Sequence, residues 1–310
     1  MSRPLAIALA VLVLSWGTAS AQLGGLFGGS DDKPLEIVAD EGIEWQQSAK
    51  IYVARGNARA TRGDVTVHAD TLTAYYRDGA KGGTEIFRVV ADGKVKVVSG
   101  ERTVQGDRGV YEVDRGVVVM TGKDLRLSTG EDVVTARDSL EYWEQRQLAV
   151  ARGDAVAIRD EKRVRADTLS ATIGADQKGG QSVKRVDAFG NVLVSTGGDV
   201  ARADTGVYNL ERGVATLRGK VRITRGKNQL NGEYAVVDLN SGVSRLLPAP
   251  GRDGKPGRVV GLFVPKSDGA PDAATPPGAA PARPAATAPA SQEAAPTLPG
   301  RKPAAPRSPR

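Results

Sequence analysis

The 310-residue sequence has no cysteine, one histidine, two methionines and only 5% aromatic residues. The first absence removes disulfides, thiolate nucleophiles and sulfur metal ligands. His68 alone cannot build an imidazole metal centre, so no metal is expected. No nucleophile elbow, phosphate loop or dinucleotide fingerprint occurs, so an enzyme is not expected, and no cofactor with it. The net charge is only +7, with signs mixed along the chain and no dense basic stripe, which argues against a nucleic-acid partner. No segment shows capped helical periodicity. Proline is concentrated at one end: 12 of 17 prolines fall from Pro265 onward.

Both ends read as non-domain. Residues 1–21 carry Arg3, an apolar run from Leu5 to Trp16 and a small-x-small site at Ala19-Ser20-Ala21. This is the pattern of a cleaved signal peptide, with export to the periplasm. Residues 22–33 form a Gly-rich linker. Residues 266–310 are a basic, Pro/Ala-rich tail whose composition cannot bury enough surface to fold. The domain is therefore expected at 34–265. At that length it needs no disulfide to bury a core.

Within that span the sequence repeats. VHADTL at Val67 returns as VRADTL at Val164, 97 residues on. Acidic landmarks at Asp40, Asp70, Asp107, Asp138, Asp167, Asp204 and Glu233 are spaced 30, 37, 31, 29, 37 and 29. Glycines at Gly56, Gly93, Gly122, Gly153, Gly190 and Gly219 follow them by 16, 23, 15, 15, 23 and 15. Both series run short-long-short twice, so a unit of about 97 residues is duplicated.

Period-two alternation predicts strands with one buried face. Val89, Ala91, Val95 and Val97 share one parity, as do Val192 and Val194, and Leu217, Val221 and Ile223. In the strands carrying Ala-Asp, parity slips by one at the acid. That implies a bulge or corner where a long strand passes from one sheet to another. Links such as Asp114-Arg115-Gly116 and Glu211-Arg212-Gly213 predict antiparallel neighbours. The expected fold is all-β: long antiparallel strands in an open jellyroll with two facing sheets, V- or taco-shaped, built from the duplicated repeat. The recurrent acids read as structural corners, and His68 as a solvated strand residue. Periodicity leaves open whether the Val/Ala/Leu/Ile interior is packed or splayed to accept a ligand. The end strands at Leu35–Val38 and Arg258–Val264 are either paired inside the domain or open to another chain.

PLEIVAD at Pro34, ARGNA at Ala54, VHAD at Val67 and RVVGLFVP at Arg258 together resemble the LptA/OstA family of periplasmic lipopolysaccharide-transport proteins. The resemblance covers nearly all of 34–265. It implies an open jellyroll that shields lipid A acyl chains and bridges inner- and outer-membrane components of lipopolysaccharide export. Implied partners are an inner-membrane export subunit with a jellyroll domain, the outer-membrane translocon and further copies of the chain end to end. On this reading Leu35, Ile37, Val89, Ala91, Val95, Val97, Val192, Val194, Leu217, Val221 and Ile223 face lipid. Leu35, Ile37, Val259, Leu262 and Val264 form partner-binding edges. The chain departs from compact members in carrying two units and a tail. The signal site distinguishes it from the membrane-anchored subunit, and its length after the jellyroll from the translocon. The competing reading is a non-catalytic structural β-repeat protein of the periplasm or cell surface.

Overall fold

The computed structural model describes residues 35–79, 83–130, 132–175, 181–238, 240–241, 243–248 and 258–263. These contain β1 (Glu36–Val38), β2 (Gly42–Gln46), β3 (Ile51–Arg62), β4 (Val65–Asp78), β5 (Thr84–Ser99) and β6 (Arg102–Glu112). Next come β7 (Val117–Thr121), β8 (Leu125–Thr129), β9 (Asp132–Ala136) and β10 (Ser139–Trp143), with a 3-10 turn at Glu144–Arg146. The chain continues through β11 (Leu148–Arg159), β12 (Lys162–Ala175), β13 (Gln181–Ser195), β14 (Asp199–Asn209), β15 (Val214–Arg225), β16 (Asn228–Asp238), β17 (Val243–Leu247) and β18 (Val260–Leu262). All eighteen join one antiparallel sheet. Among the described residues no helix is long and apolar enough to cross a membrane.

Nearly every strand pairs with its neighbours in sequence, so the sheet is a meander. Short strands act in twos. β1 and β2 lie along the two halves of β3, and β7 and β8 along the two halves of β6. β9 and β10 lie along β11, and β17 and β18 along β16. The sheet therefore has two half-sheets. Half A holds β2, β7, β10 and β17, half B holds β1, β8, β9 and β18, and the long strands cross from one to the other.

The crossing is made the same way each time. Ladders shift between Arg55 and Ala58, Asp92 and Val95, Arg152 and Ala155, Phe189 and Val192, and Arg218 and Val221. In each case the glycine-bearing strand spends one residue more than its partner, which is a β-bulge. The sequence placed a bulge or corner at the acid of the Ala-Asp strand. The corner is there, but the extra residue of the bulge belongs to the neighbouring glycine strand, and an acidic side chain packs over the glycine. Gly219 has φ +81 and the following Lys220 has φ +48. A Cβ on Gly219 would run into the Asp204 side chain. Two consecutive left-handed residues turn the strand, and glycine fits the first because it lacks a Cβ. Gly219→Ala is expected to lower stability by about 1–3 kcal/mol, read from the urea midpoint. A further difference concerns Gly122. It lies between β7 and β8, where Thr121 to Arg126 spans five residues against three on β6 from Arg108 to Gln105. The excess breaks that strand in two.

Inward positions are aliphatic and outward ones polar. In β15, Ala215, Leu217, Val221 and Ile223 are buried, while Arg218, Lys220 and Arg222 are exposed. In β4 the buried set is Val65, Val67 and Ala69, then Leu72, Ala74 and Tyr76, so the parity slip at Asp70 is real. His68 is exposed. One apolar cluster draws on both half-sheets, which therefore face each other.

The duplication is visible in the strands. β3 and β11 start and end 97 residues apart, as do β4 and β12, and β6 and β14. β9 and β10 close the first copy against β7 and β8 and open the second against β11, so hydrogen bonding runs unbroken through the joint.

Candidate functional site: an apolar groove between the half-sheets

The half-sheets are not packed together along their whole length. A space of about 1200 Å³, counted out to its open mouth, lies between them in the second copy. Half A supplies Leu140, Ala149, Ala171, Val186 and Leu217, and half B supplies Leu127, Val134, Val164 and Val194. A second space of about 800 Å³ adjoins it toward the first copy. The two share Leu127, Leu140, Glu141 and Ala149 as walls, so they are stretches of one groove. Its mostly aliphatic lining suits a flexible apolar ligand.

Comparison of the copies explains where the groove opens. In the first copy Tyr52 stacks on Trp45 at 5.8 Å and lies 5.0 Å from Tyr76, ring centre to ring centre. The Trp45 indole donates to the Tyr76 hydroxyl at 2.8 Å. Ninety-seven residues on, Tyr52 becomes Ala149 and Tyr76 becomes Ile173. Rings fill the first copy; a methyl group and an aliphatic side chain leave the second open.

The residues expected to face lipid all lie in the apolar interior or at its edge, but only some of them line the groove. Val97, Val192, Val194 and Leu217 line the groove. Val95 and Val221 are sealed at 1% exposure. Val89, Ala91 and Ile223 are buried outside the groove walls. Leu35 and Ile37 are half-buried against the core. The walls outside the set expected to face lipid are chiefly Leu127, Val134, Ala149, Val164, Ala171 and Val186. The Ala149/Tyr52 and Ile173/Tyr76 contrasts were the available signal.

At the terminal edges, β1 and β2 bond only to β3, and β17 and β18 only to β16, among the described residues. Val259 and Leu262 are exposed, and Val264 lies outside the described residues, as do the expected leader and tail. Ile43 and Trp45 on β2, which sequence reasoning passed over, are 54% and 56% exposed. They pair with Ala54 and Tyr52, whose side chains point inward, so the apolar interior reaches solvent at this end.

Among the described residues, charge on the groove walls is confined to Glu141 on half A and to the half-B rim. There Asp132 accepts two hydrogen bonds from Arg159, with side chains only 5% and 12% exposed. Asp199 accepts from Arg225 at 2.7 and 2.6 Å. That carboxylate raises the Arg225 guanidinium above its ordinary value. Glu141, inside the groove, is held low by hydrogen bonds from Arg152, Ser139 and Trp143, which together outweigh its burial. Among the described residues no acidic or imidazole cluster could hold a metal ion.

Three comparisons bear on this arrangement. A relative in Rhizobium meliloti (strain 1021), an uncharacterized protein, is 28% identical over 108 residues, or 34% of this chain. The chain spans 58% of that relative's length. A crystal structure of LptH, the LptA homologous periplasmic component of the lipopolysaccharide transport device from Pseudomonas aeruginosa, is 20% identical. It covers 43% of this chain and 95% of its own, with a TM-score of 0.36. A family model matches twice, over residues 36–138 and 136–243, one match for each copy of the repeat. Together the two matches take in more than half of the sequence, and the chain belongs to the LptA/(LptD N-terminal domain) LPS transport protein family.

Proposed function

We propose that this protein binds lipopolysaccharide in the periplasm and forms part of a bridge from inner to outer membrane. The acyl chains of lipid A lie in the groove between the half-sheets, and the sugars remain at its mouth. One observation carries the reading: an apolar groove with an open mouth, in a chain of a lipopolysaccharide-transport family. Each acyl methylene taken from water gains about 0.8 kcal/mol. Several chains are thus held firmly, yet sliding between similar aliphatic walls changes little. The reading assigns the protein no catalysis. The open edges at β1–β2 and β17–β18 serve end-to-end contact with the neighbouring export components or with another copy.

Depletion of the protein from its own cells tests this. Newly made lipopolysaccharide is expected to accumulate at the inner membrane within a few generations. Normal delivery to the outer membrane in fully depleted cells would contradict the reading.

A further inference from the structure

Residues paired across neighbouring strands stand in line, so a ladder can be followed over the whole sheet. On the outer face of half B one such line runs from Arg59 on β3 to Arg222 on β15. Lys96, Arg126, Arg165 and Arg202 stand between them, with His68 beside Arg59, and the line holds no acid. Neighbouring strands are about 4.8 Å apart, so the line is roughly 50 Å long. Its cations are scattered among mixed signs in the sequence, and only strand pairing assembles them. All six are exposed. Arg165 pairs with Asp154 at the corner, and Arg126 donates to the Ser128 hydroxyl. Among the described residues no ion pair reaches Arg59, Lys96, Arg202 or Arg222. On half A, by contrast, Arg55, Arg88, Arg108 and Arg185 each pair with a carboxylate on the same face. Half A thus neutralises most of its outer charge, and half B leaves its row uncompensated. The next row toward the strand ends is rich in hydroxyls, among them Thr61, Thr66, Thr103 and Ser128, with Arg163 its one charge. In neither row is a large hydrophobic side chain exposed between β3 and β15, so nothing there could enter a bilayer.

We infer that the outer face of half B docks on a carboxylate-bearing glycan, the cell-wall polymer that a bridge between two membranes has to cross. The inference rests on the proposed function for the place where the two meet, and on charge complementarity for the contact. The arginines give charge-assisted hydrogen bonds to carboxylates. The threonine and serine hydroxyls beside them suit sugar hydroxyls, each able to donate and accept. Attraction between a row of like charges and a polymer of the opposite sign adds along the row and fades with salt. The groove lies on the other face of the same wall. Docking therefore anchors the bridge in the polymer and leaves the groove free for lipid.

The purified full chain is sedimented with isolated cell-wall sacculi, and the bound fraction is read at rising salt. Wild type is expected to bind at low ionic strength and to lose at least about tenfold in affinity by roughly 0.3 M salt. Sacculi whose carboxylates have been amidated bind at least about tenfold more weakly. The triple variant Arg126→Gln/Arg202→Gln/Arg222→Gln weakens binding to untreated sacculi by about tenfold. Removing the same charge from half A, with Arg55→Gln/Arg108→Gln/Arg185→Gln, changes it by less than about twofold. All the substituted sites are exposed, so both variants fold as wild type does. Equal weakening by the two triple variants, or equal binding to amidated sacculi, overturns the docking face. Tighter binding to phosphatidylglycerol vesicles than to sacculi, lost in the half-B variant, assigns the row to a membrane surface and overturns the glycan partner. Displacement of an acyl probe by lipopolysaccharide is measured alongside. Wild type that binds lipopolysaccharide but not sacculi defeats the docking face alone. Wild type that binds sacculi but not lipopolysaccharide defeats the proposed function and leaves the docking face standing.

Discussion

Ala149→Tyr is expected to close the groove and reduce lipopolysaccharide binding by at least about tenfold while leaving the fold intact. Ala149 walls both stretches of the groove, so a ring there blocks the passage between them. The substitution copies a solution already present in the chain. Its counterpart in the first copy is Tyr52, which stacks on Trp45 and lies against the tilted ring of Tyr76. The backbone at this point of the repeat therefore tolerates tyrosine. A ring entering an apolar space buries area and adds contacts, so the melting temperature should hold or rise. That separates loss of the groove from loss of the fold. Binding is measured by displacement of an acyl probe, and stability by thermal melting. Unchanged affinity in a folded variant would mean that the acyl chains lie elsewhere.

Asp132→Asn is expected to cost about 3–5 kcal/mol of folding stability, read from the urea midpoint. Asp132 and Arg159 are directly opposed in the ladder between β9 and β11, and both side chains are almost wholly withdrawn from water. Neutralising the carboxylate leaves a guanidinium buried without its counter-charge, and that desolvation dominates the loss. Replacing both partners, as Asp132→Leu with Arg159→Met, should recover most of the stability, because two apolar groups of similar bulk need no pairing. The related pair Asp199–Arg225 supplies the internal comparison. Its arginine is 42% exposed, so water screens what Asp199→Asn leaves behind and a smaller loss is expected. Equal costs at the two sites would refute the burial argument.

The sequence already contains the repeat, the antiparallel strands and the two-sided interior, because alternation and spacing directly report which side chains share a face. Val67, Ala69 and Leu72 mark the corner by their parity alone. Parity does not tell which of two paired strands holds the extra residue. The structure assigns it to the glycine strands, at pairs such as Gly190-Asn191 and Gly219-Lys220, where both residues have positive φ. The groove was harder to see. Filled and open interiors show the same alternation, so Val221 and Val192 look alike in sequence, yet only Val192 lines the groove. What decides is side-chain size across the sheet, legible when Tyr52 is set against Ala149. Ile43 and Trp45 escaped for a related reason. They belong to the inward face, and only their place on an edge strand leaves them exposed. The buried ion pair at Asp132 depends on a partner 27 residues away and carries no local signature.

Photo-crosslinking in living cells tests the central claim most directly. A benzophenone side chain placed at Val164 or Val186, on opposite half-sheets and both lining the groove, is expected to capture lipopolysaccharide on irradiation. The same group at the neighbouring exposed Arg163 or Arg185 is expected to capture none. Adducts only at the outward positions, or at none of the four, would contradict a groove that carries acyl chains.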